Sequence, residues 1–377
     1  MKKILIIHTK YKYFGGEDSN IVEELKFLKE KYIVEYIEFN NSDKLNLFDY
    51  IGFFTNSNLN SNKKLKLVLK EFKPDIVYIH NTWFKAGLKL FKIVKNYKTI
   101  VKIHNFRFEC TKSMLGKKHL NKDKYCLMCG FNGGIFNKYF ENSYLKSLFV
   151  LLYGKLYYKI LLNGNLKLIV LTQFQKNFLI EKGFNPNKIE VIYNPIRFTL
   201  NNKSYNSSSS YVVYAGLLTK QKGVLELISA WNSTNNTDLE LRLIGKPSID
   251  LDEDNLPENI HLLGAIDHAA TISQIKNSRA VVTATRMFEG QPRLLNEASS
   301  LGIPSIFPKF GGMSEFFPEN YPLAFEQFNY EDLIKKLNYL HNESKLRDLS
   351  STVYDYLDNL LNSETIYSKF DNFIESF

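Results

Sequence analysis

Short apolar runs alternate with longer segments of helical periodicity along most of the chain. In the first half the apolar runs predict six strands: Ile4–Ile7, Ile33–Phe39, Ile76–His80, Thr99–His104, Leu166–Leu171 and Glu190–Tyr193. Helical patterns lie between them, for example at Ser19–Lys31 and Thr172–Lys182. This alternation is typical of α/β architecture, in which helices cover a parallel sheet.

A second series of the same kind follows residues 201–210, a polar stretch without periodicity that predicts a linker or flexible loop. Its strands are predicted at Tyr211–Tyr214, Leu239–Ile244, Asn259–Leu263, Ala280–Ala284 and Pro304–Phe307, and its helices begin near Gly223, Ala269 and Arg293. We therefore predict two doubly wound domains, residues 1–200 and 201–353. Such domains bind ligands at the carboxyl ends of their strands, so a cleft is expected there.

Length and composition agree with two folded domains. A chain of 377 residues is too long for one typical domain, and 44% hydrophobic content is ordinary for a globular protein. The apolar run after Lys3 is too short for the core of a signal peptide, and three cysteines are a sparse, odd number that argues against a disulfide framework. A cytoplasmic location is therefore expected.

The net charge of +10 raises the question of nucleic-acid binding. Lysines are scattered through every segment, and the chain has no zinc-finger, RNP or helix-turn-helix signature. We interpret the charge as favouring anionic donors and anionic lipid surfaces, and we expect no nucleic-acid partner.

Two glutamates, Glu289 and Glu297, stand with seven residues between them. Glu289 follows a predicted strand, and Glu297 lies in a helical pattern that begins after Pro292. Unpaired N–H groups at the start of that helix favour an anion, and nearby carboxylates can bind hydroxyls. This arrangement suits a sugar nucleotide. The alternative is a pair of solvated surface carboxylates.

A glycine pair, Gly15-Gly16, follows the first predicted strand. It permits close backbone approach to an anion, and Asp18 or Ser19 is placed to cap the next helix. A plain tight turn is the alternative interpretation.

Two further residues carry candidate chemistry, each with an ordinary structural alternative. His104 ends a predicted strand, where it can bind a sugar hydroxyl or orient an acceptor, or can be a buried histidine at a strand end. Lys222 precedes Gly223 at a predicted helix start, where it either contacts phosphate or is solvated.

The segments that contain these residues resemble those of one family. They are GGED at 15–18, HNFRFEC at 104–110 followed by CLMC at 126–129, YAGLLTKQKG at 214–223, and the E-x7-E spacing. In this order they resemble the retaining GT-B glycosyltransferases of family 4, in particular a GGED-type bacterial branch of surface-polysaccharide synthesis. The resemblance implies two Rossmann-like domains facing a central cleft. It also implies transfer of a sugar from a nucleotide diphosphate-sugar to a glycan or a polyprenyl-diphosphate-linked glycan.

The resemblance also implies roles for individual residues. Glu289 would bind the transferred sugar and Glu297 the donor ribose. Lys222 would bind the diphosphate, and His104 the transferred sugar or the acceptor. Residues 261–268 would bracket the nucleobase. Further donor contacts would come from Gly15, Gly16, Gly216, Gly290 and Leu294.

One position departs from the family pattern. Leu217 stands where the family usually has an arginine that helps to neutralise the leaving diphosphate. Arg293 is expected to supply this charge, with Lys220 as a weaker substitute. The departure also supports a second hypothesis, a non-catalytic nucleotide-sugar-binding subunit. A third hypothesis, an NAD-dependent oxidoreductase, lacks the G-x-G-x-x-G fingerprint.

No cofactor is expected beyond the donor substrate. Cys126 and Cys129 have zinc-ligand spacing, with Cys110 as a third ligand and His119 as a substitute for a fourth. Reduced thiols in an acceptor-side loop are the preferred interpretation. Residues 252–254 do not form a convincing DxD metal motif, and the resemblance implies that none is required.

Residues 144–162 form an apolar segment that is nearly long enough to span a membrane but is interrupted by Lys146, Lys155 and Lys159. A helix lying on a membrane surface and a helix packed in the protein interior are both open interpretations. The tail, 354–377, has a helical pattern, and the resemblance implies that it packs back on the first domain.

Overall fold

The computed structural model describes residues 1–10, 16–41, 52, 55–106, 143–196, 205–236, 238–249, 251 and 256–377. Its contacts divide the chain into unit 1, Met1–Pro195 with Ser363–Phe377, and unit 2, Ile196–Asn362. Each unit is built on a parallel sheet of six strands, as the alternation of apolar runs and helical patterns predicts.

Unit 1 contains β1 (Lys3–Lys10), β2 (Ile33–Asn40), β3 (Ile76–Ile79), β4 (Lys98–Ile103), β5 (Lys167–Val170) and β6 (Ile189–Val191). Its helices in the described part of the chain before the domain boundary are α1 (Gly16–Lys29), α2 (Leu59–Phe72), α3 (Leu90–Ile93), α4 (Tyr144–Asn163) and α5 (Gln173–Glu181). The sheet order is β2-β1-β3-β4-β5-β6. Every residue of β3 is buried, as expected when helices cover both faces of a parallel sheet.

The strand order reverses at β1. The chain adds β2 on one side of β1 and then returns to add β3, and all later strands, on the other side. At the carboxyl ends of β1 and β3 the Thr9 N–H donates to the Asn81 carbonyl at 2.8 Å, and Asn81 Nδ2 donates to the Thr9 carbonyl at 2.8 Å. Such a switch point is where an open α/β sheet binds ligands.

Unit 2 contains β7 (Tyr211–Ala215), β8 (Glu240–Ile244), β9 (Ile260–Gly264), β10 (Ala280–Val282), β11 (Ser305–Pro308) and β12 (Ala324–Phe325). Its helices are α6 (Val224–Asn232), α7 (His268–Lys276), α8 (Arg293–Ser300), α9 (Tyr330–Asn338) and α10 (Glu343–Leu360). The order β12-β11-β10-β7-β8-β9 puts its switch point between β10 and β7. The sequence pattern misses β12 because that strand has only 2 residues.

Two separate helices form the C-terminal tail, α10 and α11 (Ser363–Glu375). The prediction that all of 354–377 packs on the first domain is wrong for residues 354–362, which belong to unit 2. The reason is the apolar stripe of α10, which packs against α8. It consists of Leu346, Val353 and Leu357. Of these two tail helices, only α11 belongs to unit 1. There the Tyr367 ring stacks on the Phe27 ring, with centroids 3.8 Å apart.

One face of α4 is buried in unit 1, and the other is exposed. The buried face consists of Ser147, Val150, Leu151, Tyr153, Gly154, Tyr157 and Leu161. On the other face Leu145 is 57% exposed, and Leu152 and Leu156 are each 42% exposed. Within the described part of the chain, no helix combines the length and apolar character needed to cross a bilayer.

Candidate active site

A turn at the carboxyl end of β7 carries Lys222 to the switch point of unit 2. Thr219 caps the helical turn Lys220–Lys222, since its Oγ1 accepts from the Lys222 N–H at 3.2 Å. Gly223 follows with φ = 69°, and a Cβ there would lie 1.9 Å from the Ala284 carbonyl oxygen. Only glycine combines this left-handed backbone with such a close approach, so α6 can begin directly beside the end of β10.

Lys222 and Glu289 form an ion pair at this point. Lys222 Nζ lies 2.5 Å from Glu289 Oε1, and Thr285 Oγ1 donates to the same oxygen at 3.1 Å. Both side chains are mostly buried, with 28% of Lys222 and 20% of Glu289 exposed. A cation and a carboxylate side by side at strand ends are equipped to bind a phosphate and a hydroxyl group.

An aromatic stack holds the loop that carries Glu289. The rings of Phe288 and Phe310 are stacked with centroids 4.1 Å apart, and Phe288 is 4% exposed. Two other predicted donor contacts, Gly290 and Leu294, are partly exposed on this loop and on the first turn of α8.

Glu297 lies in α8, one turn after Arg293, and three groups meet at its carboxylate. Arg293 Nε donates to Glu297 Oε1 at 2.6 Å, and His268 Nε2 lies 2.8 Å from the same oxygen. Arg293 Nη2 is 3.1 Å from His268 Nε2. The guanidinium of Arg293 is therefore directed at Glu297 in this structure.

Sequence reasoning missed His268 in this cluster. The residue begins α7, and its side chain is 58% exposed. Asp267 caps the helix by accepting from the Ala270 N–H at 2.8 Å. The sequence signal is the Asp-His pair at a helix start, which lies in the segment 261–268 that the resemblance assigns to the nucleobase.

Leu217 occupies an exposed position on the turn after β7, with 55% of its surface accessible. Its carbonyl accepts from the Tyr214 hydroxyl at 2.9 Å. Burial, and secondly the charge of Glu289, raises the pKa of Tyr214 far above its ordinary value, so the phenol keeps its proton and donates.

Gly216 packs closely against Gly245, a contact that sequence reasoning also missed. A Cβ on Gly245 would lie 1.8 Å from the Gly216 carbonyl oxygen.

Three histidines lie toward the carboxyl ends of neighbouring strands in unit 1, His8 in β1, His80 after β3 and His104 after β4. His80 Nδ1 is 2.9 Å from His104 Nε2, and the two rings are stacked with centroids 5.2 Å apart. Burial lowers the pKa of both imidazoles well below the ordinary value, and the charge of Lys102 lowers it further. Both rings are therefore neutral at neutral pH.

Asp18 does not cap α1, contrary to the prediction, because the helix already begins at Gly16. Its carboxylate instead lies 2.9 Å from His8 Nε2, and both side chains are almost fully buried.

A buried ion pair lies beside His80, and sequence reasoning missed it. Lys102 Nζ donates to both carboxylate oxygens of Glu24 at 2.8 Å, and the Tyr78 hydroxyl donates to Glu24 Oε1 at 2.8 Å. Burial lowers the pKa of Lys102, whereas the carboxylate of Glu24 opposes that shift. The available signal was a lysine inside an otherwise apolar strand, TIVKI.

Several candidate residues lie outside the part of the chain that the structure describes: Gly15, Cys110, His119, Cys126, Cys129 and 252–254. Gly16 is the first residue of α1. Among the described residues, no group of three or more His, Cys, Asp or Glu side chains is placed to hold a metal ion.

Comparison with known families identifies the class of protein. Residues 52–199 match Glycosyltransferase Family 4, and residues 197–352 match Glycosyl transferases group 1. Together these matches span most of the chain, which belongs to the family 4 glycosyltransferases, as its motifs predict. The protein is a glycosyltransferase. No curated protein sequence matches the chain.

Solved structures share the fold at low sequence identity. HepE of Anabaena, solved with UDP and glucose, is 15% identical with a TM-score of 0.69 over 100% of both chains. Sucrose-phosphate synthase from Thermosynechococcus elongatus is 15% identical with a TM-score of 0.72, over 100% of this chain and 99% of that one. The lipopolysaccharide outer core galactosyltransferase WaaB is 19% identical with a TM-score of 0.61, over 99% of each chain. The fold is GT-B, built from two Rossmann-like domains.

Proposed function

We propose that this glycosyltransferase moves a sugar, with retention at the anomeric carbon, from a nucleotide diphosphate-sugar to a glycan or polyprenyl-diphosphate-linked glycan in bacterial surface-polysaccharide synthesis. The observation that carries the proposal is the Lys222–Glu289 ion pair at the switch point of unit 2. A cation and a carboxylate beside the starts of α6 and α8 suit a ligand in which a diphosphate adjoins polyols.

Unit 2 binds the donor in this proposal. Lys222 contacts the diphosphate as a point charge, and Glu289 accepts hydrogen bonds from hydroxyls of the transferred sugar. Glu297 accepts from the ribose hydroxyls. Flanking residues of the strand-end loops complete the donor contacts: Gly216, Gly290 and Leu294.

Arg293 replaces the family arginine that is missing at Leu217. Its side chain is 22% exposed and is salt-bridged to Glu297 at 2.6 Å. Ribose hydroxyls that bind Glu297 compete with this salt bridge and release the guanidinium toward the leaving diphosphate. A fixed cation there stabilises the negative charge that develops as the sugar–phosphate bond breaks.

Retention needs no protein nucleophile in this scheme. In the donor complex the Glu289 carboxylate accepts hydrogen bonds from Thr285 and from hydroxyls of the transferred sugar, and such bonds reduce its nucleophilicity. The acceptor oxygen instead attacks the anomeric carbon on the face from which the diphosphate departs. The acceptor proton passes to an oxygen of the donor β-phosphate as the carbon–oxygen bond to the diphosphate breaks.

His104 in unit 1 binds the acceptor or the transferred sugar. Burial lowers its pKa well below the ordinary value, so the imidazole stays neutral. A neutral ring exchanges hydrogen bonds with sugar oxygens without adding a charge that would compete for the diphosphate.

Peripheral contact with the inner face of the cytoplasmic membrane forms a further part of the proposal. A cavity of ≈ 640 Å³ in unit 1 is lined by α3, by the second half of α4 and by the segments next to them. Its apolar wall includes Phe91 and Ile160, and its lysines are Lys89, Lys92, Lys95 and Lys159. An apolar groove that contains lysines and the exposed Leu156 fits interfacial binding to anionic lipids.

A screen of nucleotide sugars by thermal shift, followed by a transfer assay with the stabilising donor, tests the proposal. A donor at a hundred times its Kd stabilises the folded chain by about 2.7 kcal/mol. Lys222→Met should abolish the shift, and nicotinamide cofactors serve as controls. Stabilisation by a nicotinamide cofactor alone would refute the assignment.

A second candidate function is a nucleotide-sugar-binding subunit without turnover. The exposed side chain of Leu217, at the position of the family arginine, favours it. Donor-specific stabilisation without transfer to membrane glycolipid or glycan extracts would support this alternative.

A further inference from the structure

His80 lies between His104 and the buried ion pair of unit 1. Its Nδ1 is 2.9 Å from His104 Nε2 and 4.0 Å from Glu24 Oε2. Its other ring nitrogen, Nε2, is buried and has no hydrogen-bond partner. Glu24 is held in place because Lys102 Nζ donates to both of its oxygens and Tyr78 donates to one of them.

One proton occupies the hydrogen bond between the two histidines, and the surroundings decide which ring carries it. If His104 Nε2 carried it, the neutral His80 would hold its own proton on Nε2, as a buried N–H without an acceptor. A buried ring nitrogen without a partner costs on the order of 1–3 kcal/mol whether it is a donor or an acceptor, so this cost is similar for both tautomers. The Glu24 carboxylate separates the two tautomers, because its Oε2 lies 4.0 Å from His80 Nδ1. A proton on Nδ1 puts the positive end of an N–H dipole on the side of that carboxylate, whereas a proton on His104 Nε2 leaves a lone pair of His80 there.

We propose that His80 is a positioning residue that holds His104 in the tautomer with its proton on Nδ1. Nδ1 of His104 bonds to no described residue and is not one of the buried nitrogens without a partner, and the residue is only partly buried. His104 therefore offers a ligand an N–H donor instead of a lone pair.

The tautomer restricts what His104 does in transfer, a consequence that rests on the proposed function. An Nδ1–H group donates to a sugar oxygen, and the lone pair on Nε2 is already occupied by His80. His104 therefore does not accept the proton of the acceptor hydroxyl, and the donor phosphate is left as the proton acceptor.

Two-bond hydrogen–nitrogen NMR spectra of the full chain with labelled histidines measure the tautomer directly, because protonated and bare ring nitrogens resonate far apart. The chain has 7 histidines, and His104→Gln assigns the relevant signal by its loss. At neutral pH we expect a protonated Nδ1 and a bare Nε2 on His104. A protonated Nε2 in the wild-type spectrum overturns the proposal, whatever the variants do.

Two substitutions at His80 distinguish its hydrogen bond to His104 from the packing of its ring. His80→Phe keeps a ring but removes the donor; we expect His104 to shift toward the Nε2–H tautomer and kcat to fall roughly tenfold, the loss of one hydrogen bond. His80→Asn places an amide N–H near the former Nδ1, and should restore the Nδ1–H tautomer and most of the rate. His341→Asn, at an exposed site in unit 2, should change neither.

The NMR signal of His104 tests its positioning by His80, whereas the transfer rate tests the proposed role of His104 in transfer. If His80→Phe shifts the tautomer while transfer stays at the wild-type rate, His104 has no part in transfer, but its positioning by His80 stands. If the Nδ1–H signature persists unchanged in folded His80→Phe, the positioning role is refuted.

Discussion

Lys222 Nζ and Glu289 Oε1 lie 2.5 Å apart, although one residue follows β7 and the other follows β10. Parallel pairing of these strands, with Ala280 beside Val212 and Val281 beside Val213, brings their carboxyl ends together. The carboxylate balances the lysine charge. A bound diphosphate would take over that role, and Glu289 would then be available for sugar hydroxyls.

This exchange of partners predicts opposite effects of Glu289→Gln on binding and on turnover. The substitution leaves Lys222 without its carboxylate, so affinity for the nucleoside diphosphate should stay the same or rise. Turnover should fall on the order of 10²-fold, because a contact to the reacting sugar is lost. Calorimetric titration and initial rates measure the two effects. Weaker diphosphate binding in Glu289→Gln, as in Lys222→Met, would show that Glu289 supports the diphosphate site.

Glu297→Gln should weaken binding of the nucleotide itself. A carboxylate accepts hydrogen bonds from ribose hydroxyls more strongly than an amide, and roughly tenfold lower affinity corresponds to about 1.4 kcal/mol. The wild-type protein should discriminate against a 2′-deoxynucleotide, and the variant should lose this discrimination. Glu331→Gln, at an exposed site on α9, is the matched control. Unaltered discrimination in Glu297→Gln would remove the ribose assignment.

Arg293→Ala should lower turnover on the order of 10²-fold, as expected when one charge-stabilising group is lost from a transition state. Arg293→Lys should recover part of that loss, since a cation remains. Arg347→Ala is the control, an arginine of unit 2 with 57% of its side chain exposed. Full activity in Arg293→Ala would mean that the diphosphate is neutralised without it.

The histidine pair predicts that unit 1 loses stability in mild acid. In the unfolded chain the imidazoles take up protons near their ordinary pKa of 6.5, whereas burial lowers the pKa of His80 and His104 in the folded state. The contribution of the two neutral imidazoles to the free energy of unfolding is therefore fully present above pH 6.5. It is lost as the pH falls from 6.5 toward the pKa values of the folded state. Each imidazole that stays neutral in the folded state lowers the free energy of unfolding by at most about 1.4 kcal/mol for each pH unit below 6.5.

Urea unfolding followed by Trp83 fluorescence, in a Trp231→Phe background, measures this effect in unit 1. His104→Gln should reduce the dependence on pH by about half, because one of the two groups is removed. His341→Asn in unit 2 should leave it unaltered. An equal pH dependence in His104→Gln and the parent would contradict the assignment.

The sequence predicted several features of the site because they are local. The position of Gly223 after a buried strand predicts a helix start, and the structure shows why no other residue fits there. Hydrophobic periodicity predicts that Glu289 follows a strand and that Glu297 lies in a helix, and these elements are β10 and α8. Local patterns of this kind report burial and turns, which depend on residues only a few positions apart.

By itself the sequence determined the two parallel sheets and the family, because continuous apolar runs are required for strands buried on both faces and the motifs occur in a fixed order. Only the tertiary structure decided which polar side chains meet. His80 and His104 are 24 residues apart, Glu24 and Lys102 are 78 apart, and His268 and Glu297 are 29 apart. Their contacts depend on the order of strands in the sheets and on where each helix begins, and no periodicity along the chain encodes those distances.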